Sequence, residues 1–182
     1  MMQNKYKTVE ESQVRISELM LPSHSNFNGK IHGGYILSLL DQIAFACASK
    51  HSGVYCVTAS VDTVDFLKPI EIGELVTMKA SVNYVGRSSM VIGIRVEAEN
   101  IQTGAVKPYN SSHITMAAKA EKGKAVQVTG LILKTDKDSR RFAPSIKRKE
   151  IKIKHNEQFH ATDFTSEEYI HIVQKYKVKI KY

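Results

Sequence analysis

One proline-free stretch, Gly34 to Lys50, limits this chain more than any other feature, because its apolar residues extend nearly all the way round a helix. Ile36, Leu37, Leu40, Ile43, Ala44 and Cys47 recur at helical spacing, and Leu39, Phe45 and Ala46 widen the surface they make. A helix of this kind is expected to be buried on most sides, not laid on a surface. Its cover has to come from elsewhere in the chain.

The cover is legible downstream. Cys56–Phe66, Glu74–Gly86, Ser88–Asn100 and Asn110–Ala120 each alternate apolar with polar residues, the period of a half-buried strand. Val76, Met78, Ala80, Val82 and Tyr84 share one side of the second run, and Met90, Ile92, Ile94, Val96 and Ala98 share one side of the third. Gln13–Leu21 adds a strand before the helix, and Pro69 and Gly73 break the chain between runs. One strand, one buried helix and then an antiparallel meander is an α+β pattern. The single sheet has one face to bury and is expected to curl round the helix.

A chain of 182 residues fits one such domain with an appendage. The division falls at Leu133: residues 1–133 carry the alternating strands, and 134–182 form a basic extension interrupted by Pro144. Residues 1–133 hold a net charge of +2 and residues 134–182 a net +6. In the extension, Thr165 and Glu168 fit a capping box, with Ile170, Val173 and Tyr176 along one stripe of a short helix. Its charge suits a solvated tail or an anionic partner. It lacks the helix-turn-helix pattern and the interleaved aromatics of a nucleic-acid reader, so nucleic acid is not expected as a partner.

The two cysteines, Cys47 and Cys56, have no metal spacing and are too few for a disulfide framework. Cys47 reads as core. The longest apolar segment is broken by Ser38, Asp41 and Gln42, so no membrane insertion is expected. The N-terminus, MMQNKYKTVEES, lacks the apolar core of a signal peptide, which points to the cytoplasm. The seven histidines form no metal-binding group, and neither a G-x-S-x-G elbow nor a P-loop is present, so no metal and no cofactor is expected.

The residues that stand out chemically lie in S-N-F-N-G-K-I-H-G-G followed by L-L-D. Asp41 is the one charged residue between His32 and Lys50. Burying a carboxylate costs several kcal/mol unless it is hydrogen-bonded. A structural acid bonded to backbone amides and a general base with a tuned pKa both fit that position. Gly33 and Gly34 open the helix, where unpaired N–H donors suit an oxyanion or a polarised carbonyl and where two glycines equally fit mere packing. Arg87, Ser88 and Ser89 sit in a tight connection between two strands, as an ordinary hairpin or as a phosphate contact.

The run LPSHSNFNGKIHGGYILSLLDQIAFACASKHSG, followed by VTASVDTVDFLKPIEIGELVTMKASVNYVGRSSMVIGIRVEAENIQTG, resembles the hotdog-fold acyl-CoA thioesterases of the cytosolic acyl-CoA hydrolase type, its single-domain bacterial members above all. The resemblance covers about residues 13–133. It implies a hotdog fold and a dimer with the site at its interface, usually within a trimer of dimers. It implies a fatty acyl-CoA substrate, with coenzyme A entering only as part of substrate and product. The family's catalytic asparagine and aspartate fall on Asn26 and Asp41, contributed by opposite subunits, and its coenzyme A contacts on Gly33, Gly34, Arg87, Ser88 and Ser89. Backbone donors near Gly34 would polarise the thioester, Asn26 would orient the water or the carbonyl, and Asp41 would accept a proton from water or attack directly. A hotdog acyl-CoA hydratase, and a non-catalytic acyl-CoA sensor with a nucleic-acid-binding tail, are the rival readings.

Overall fold

A computed structural model describes residues 6–66, 68–120, 123–161, 170, 172–179 and 181, though not the side chains of residues 160 and 161. The chain divides into two compact units, Met1–Ser145 and Ile146–Tyr182. The expected boundary after Leu133 therefore falls inside the first unit.

The first unit begins with a short strand β1 (Tyr6–Thr8), a one-turn helix α1 (Val9–Ser12) and strand β2 (Val14–Leu19). A 3-10 turn over Pro22–His24 leads to the long helix α2 (Gly33–Ser52), which ends on Gly53 in the left-handed region at φ 73°. Strands β3 (Cys56–Val61), β4 (Glu74–Val85), β5 (Ser89–Asn100) and β6 (Val106–Ala118) follow, then β7 (Gly130–Ile132) and helix α3 (Asp136–Ala161).

Five strands form one antiparallel sheet in the order β2-β4-β5-β6-β3. The central three are the expected meander. The first strand after the helix departs from it: β3 pairs with β6 on the far edge, while β4 starts beside β2. The sequence alternation finds strands without saying which neighbour each one takes. The small parallel pair of β1 with β7 was not foreseen either; three-residue strands leave almost no periodic signal.

Helix α2 lies on one face of this sheet. Ile36, Leu40, Ile43, Ala44, Cys47 and Ala48 are buried against Val76, Met78 and Val82 of β4, Met90, Ile92, Ile94 and Val96 of β5, and Ile114 and Met116 of β6. Each large apolar side chain fully buried here contributes roughly 1.5–3 kcal/mol. The core row on β4 ends one residue earlier than its alternation predicts. A register shift between Val82 and Tyr84 turns Tyr84 off the core, and its ring meets Phe142 of α3 at 5.3 Å. Pro108 sits at a second irregularity, between the pairs Val96–Asn110 and Glu97–Pro108, where a missing N–H is tolerated.

The expectation that α2 is buried on most sides does not hold within one chain. Gly34, Leu37, Ser38, Asp41, Gln42 and Phe45 form an exposed stripe, with Leu37 at 40% and Phe45 at 39% exposure. The sheet of one chain covers only one side of the helix. Edge strand β3 borders a further exposed group, Tyr55 and Val61, and Tyr55 makes an edge contact with Phe45 at 5.6 Å.

In α3, Ser145 is buried and donates from Oγ to the Arg141 carbonyl at 2.9 Å, one residue after Pro144. Arg141 reaches Ser81 of β4 at 3.5 Å. Arg141 and Phe142 thus tie the start of α3 to β4. In the second unit, Gln174 N–H donates to the Ile170 carbonyl at 3.0 Å, and Tyr176 N–H to that of Val173 at 3.0 Å. Ile170 and Val173 are half-buried and Tyr176 is exposed; the proposed cap residues Thr165 and Glu168 lie outside the described residues.

Candidate active site

The loop before α2 is closed by a bridge between Ser25 and Ile31, and Asn26 sits just inside it. Its Oδ1 accepts from the backbone N–H of Asn28 at 2.9 Å and of Lys30 at 3.2 Å, and its own N–H donates to the Lys30 carbonyl at 2.7 Å. Gly29 makes the turn possible at φ 69°, a conformation L side chains rarely adopt. These bonds hold the carboxamide oxygen inward. The Nδ2 donor is left without a partner among the described residues. The far side of the loop is tied down by the Lys30–Glu71 ion pair at 2.7 Å and by Ile31 N–H to the Ile70 carbonyl at 3.0 Å.

At the helix start the structure corrects one expectation. Gly34 N–H is already taken: His32 caps the helix, its Nδ1 accepting from Gly34 at 2.9 Å. A Cβ on Gly34 would come within 3.0 Å of that ring, so the His32 side chain fills the room beside Gly34. Tyr35 N–H is engaged as well, by the His32 carbonyl at 3.0 Å. The first-turn donor with no partner among the described residues is Gly33 N–H. The Phe66 ring lies over Gly33 at 3.5 Å from the point a Cβ would occupy.

Asp41 is exposed, not partly buried as its apolar surroundings suggested. It lies on the stripe of α2 that the chain's own sheet leaves open. Thr58 of edge strand β3 donates from Oγ1 to Asp41 Oδ1. Thr58 carried no signal in the sequence, because hydroxyl residues are common on the polar side of any strand. Only the packing of β3 beside α2 singles it out.

Within one chain these groups stay apart. Asp41 is eight residues beyond Gly33, about 12 Å along the helix. Arg87, Ser88 and Ser89 are farther still. The Ser88 carbonyl accepts from Ala118 N–H at 2.9 Å, Ala118 pairs with Cys56, and Cys56 lies 3.3 Å from Ser52 at the helix C-terminus. That end is about 30 Å from the helix start for the 20 residues of α2. Arg87 is exposed and its two serines half-buried, with the hairpin closed by Gly86 N–H to the Ser89 carbonyl at 2.7 Å. Neither of two surface cavities, about 750 and 330 Å³, is lined by Asn26, Gly33, Gly34, Asp41 or Arg87–Ser89.

Other reactive groups are absorbed by the fold. Cys47 is fully buried and its Sγ donates to the Ser12 carbonyl at 3.1 Å; burial pushes its thiol up to about 12, which makes it inert at neutral pH. Among the described residues no group of three or more His, Cys, Asp or Glu is placed to hold a metal ion, and no helix is long and apolar enough to cross a membrane.

Comparison with known proteins completes the picture. Residues 28–105 match the Thioesterase superfamily. The chain is 39% identical over 145 residues to protein VdlD of Helicobacter pylori, covering 80% of this chain and 83% of that one. An apo-hexameric acyl-CoA thioesterase superimposes with a TM-score of 0.80 at 34% identity, over 83% of this chain and 97% of the other. The acyl-CoA hydrolase of Staphylococcus aureus, solved in complex with butyryl coenzyme A, coenzyme A and coenzyme A disulfide, superimposes with a TM-score of 0.73 at 29% identity, over 86% and 99% of the two chains. The same S. aureus enzyme has been solved as alanine variants of an aspartate, an asparagine and a threonine. From its sequence and its fold alike, the chain belongs to the thioesterase superfamily, and within it to the hotdog-fold acyl-CoA thioester hydrolases.

Proposed function

We propose that this protein hydrolyses fatty acyl-CoA in the cytoplasm, at a site completed by two copies of the chain, with Asp41 as general base and Asn26 and Gly33 polarising the thioester carbonyl. The observation that carries the reading is the Thr58–Asp41 hydrogen bond on the stripe of α2 that one chain leaves uncovered. A carboxylate held by a neighbouring hydroxyl, with Leu37 and Phe45 exposed on either side, suits a surface that a second copy covers.

Geometry supports division of the work between subunits. Asn26 Nδ2 and Gly33 N–H belong to one end of α2, and a carbonyl held there is about 12 Å from the same chain's Asp41. A partner packed antiparallel against this face brings its own Asp41 to that carbonyl, and its hairpin Arg87–Ser89 to the phosphates of coenzyme A. The alanine variants of the S. aureus enzyme concern the three residue types found here as Asn26, Asp41 and Thr58, which supports the assignment. A trimer of such dimers is the assembly, in keeping with the hexameric thioesterases this chain resembles.

In the reaction, water attacks the carbonyl carbon while the Asp41 carboxylate takes its proton. Charge develops on the carbonyl oxygen, which Asn26 Nδ2 and Gly33 N–H stabilise as donors. The tetrahedral intermediate collapses, the carbon–sulfur bond breaks, and the proton on Asp41 passes to the departing thiolate. Free fatty acid and coenzyme A leave. Thiol release measured across acyl-CoAs of increasing chain length tests the proposal; a folded, assembled protein that releases no thiol from any of them overturns it.

A further inference from the structure

Tyr35 has the ring and the hydroxyl to hold two parts of this site together, and nothing in the reaction above uses either. It stands in the first turn of α2, two residues after Gly33. Its hydroxyl donates to Glu18 Oε1 on β2, and that acceptor, with burial second, pushes the phenol up to about 12, so it stays protonated and donating at any physiological pH. Its ring stacks on His24 with centroids 4.0 Å apart and planes 20° from parallel.

His24 is itself built into the loop that carries Asn26. Its Nδ1 accepts from Leu21 N–H at 3.3 Å, and its carbonyl accepts from His32 N–H at 2.8 Å, one residue before Gly33. The ring stack therefore joins the loop on one side of Asn26 to the helix start that presents Gly33. The other side of the loop is joined to the 70–71 segment by Lys30 and Ile31. Without Tyr35, the Asn26 end of the loop is held through His24 only by main-chain bonds and the Leu21 contact.

We propose that Tyr35, oriented by Glu18 and stacked on His24, is a positioning residue that fixes the spacing between Asn26 Nδ2 and Gly33 N–H, and so sets the rate of carbonyl polarisation without touching the substrate. The inference rests on Asn26 and Gly33 being the polarising pair. Donors aimed at a developing oxyanion lose effect over fractions of an ångström, whereas binding of the distant nucleotide end does not depend on them. Freeing the hydroxyl from Glu18 lets the stacked ring shift, and with it the loop against the helix start, which lowers kcat and leaves KM unchanged.

The test is steady-state thiol release with the full-length assembled protein, using Tyr35→Phe, which keeps the ring stack and removes the hydroxyl. Loss of a hydrogen bond to a charged acceptor predicts a fall in kcat of about tenfold at unchanged KM. Glu18→Ala removes the same bond from the other side and is expected to match it, while Glu18→Gln retains an acceptor and is expected to recover most of the loss. The decisive comparison is made in an Asn26→Ala background, where Tyr35→Phe is expected to have no further effect, because the group it positions is gone. Equal kcat in Tyr35→Phe and wild type, or a full additional loss in the Asn26→Ala background, overturns the positioning role. If Asn26→Ala alone keeps wild-type kcat, the polarising pair itself is misassigned, a result that the first two outcomes do not produce.

Discussion

Thr58→Val isolates the hydrogen bond on which the site assignment rests. Valine is nearly isosteric with threonine and at least as favourable in a strand, so β3 keeps its pairing with β6. Thr58 is exposed in the single chain, so the substitution opens no cavity in the core. What is removed is one donor to the Asp41 carboxylate. Hydrogen bonds to charged groups are worth about 1.5–3 kcal/mol, which corresponds to roughly 10- to 150-fold in rate if the bond holds Asp41 in its reactive orientation. The weak contact of Thr58 Oγ1 with Met116 Sδ, at 3.5 Å, adds little to this. The assay is thiol release under saturating acyl-CoA, with assembly state and melting temperature measured on the same preparation. Thr58→Ser, which keeps the hydroxyl, is expected to retain most of the activity. Wild-type kcat in a folded, assembled Thr58→Val protein would show that the bond orients nothing that matters, and Asp41 would lose its main structural support as the base.

Three further outcomes follow from the same structure. Asn26→Ala is expected to keep only a small but measurable kcat and Asp41→Ala to lose nearly all activity, and subunit exchange between them to restore about a quarter of the wild-type sites, since half the random dimers are mixed and each holds one intact site; no recovery after verified exchange excludes a shared site. His51 is fully buried, with Nε2 3.0 Å from the Thr129 carbonyl and Nδ1 without a partner among the described residues, and burial holds its pKa below the usual histidine value. The unfolded chain therefore binds the proton first: stability is complete above a pH of about 6.5 and falls below it by up to about 1.4 kcal/mol per pH unit, until the folded pKa is passed. His51→Gln is expected to flatten the dependence of melting temperature on pH between about 6.5 and 5, and an unchanged slope assigns it to other groups. Truncation after Ser145 is expected to leave turnover per site within a fewfold, whereas truncation after Leu133 lowers the melting temperature because it strips Phe142 from Tyr84 and removes buried Ser145; equal melting temperatures would show that α3 adds nothing to the first unit.

Much of this was legible before any coordinates. The apolar periodicity of 34–50 and the two-residue alternation of the later runs are local consequences of how side chains project from helices and strands, so they name the elements and the inward residues. The same regularity explains why Asp41 stood out: an isolated charge in an apolar helix is conspicuous in one dimension. Its exposure was not legible, because alternation shows which residues avoid water without showing whether their cover comes from the same chain. Nor was the bulge at Asn83, where a single extra residue sends Tyr84 from the core to Phe142.

The identity of the long helix and the main strands, and most of the inward residues, were thus determined by the amino-acid sequence alone. The tertiary structure decided which strand took which edge, and with it that Thr58 of β3 stands beside Asp41. It decided that His32 consumes the Gly34 donor and leaves Gly33, since a side chain turning back on its own helix is invisible in composition or spacing. The physical reason is common to these cases. Period and polarity are properties of neighbours in sequence, whereas a hydrogen bond between residues 17 positions apart depends on where two elements cross.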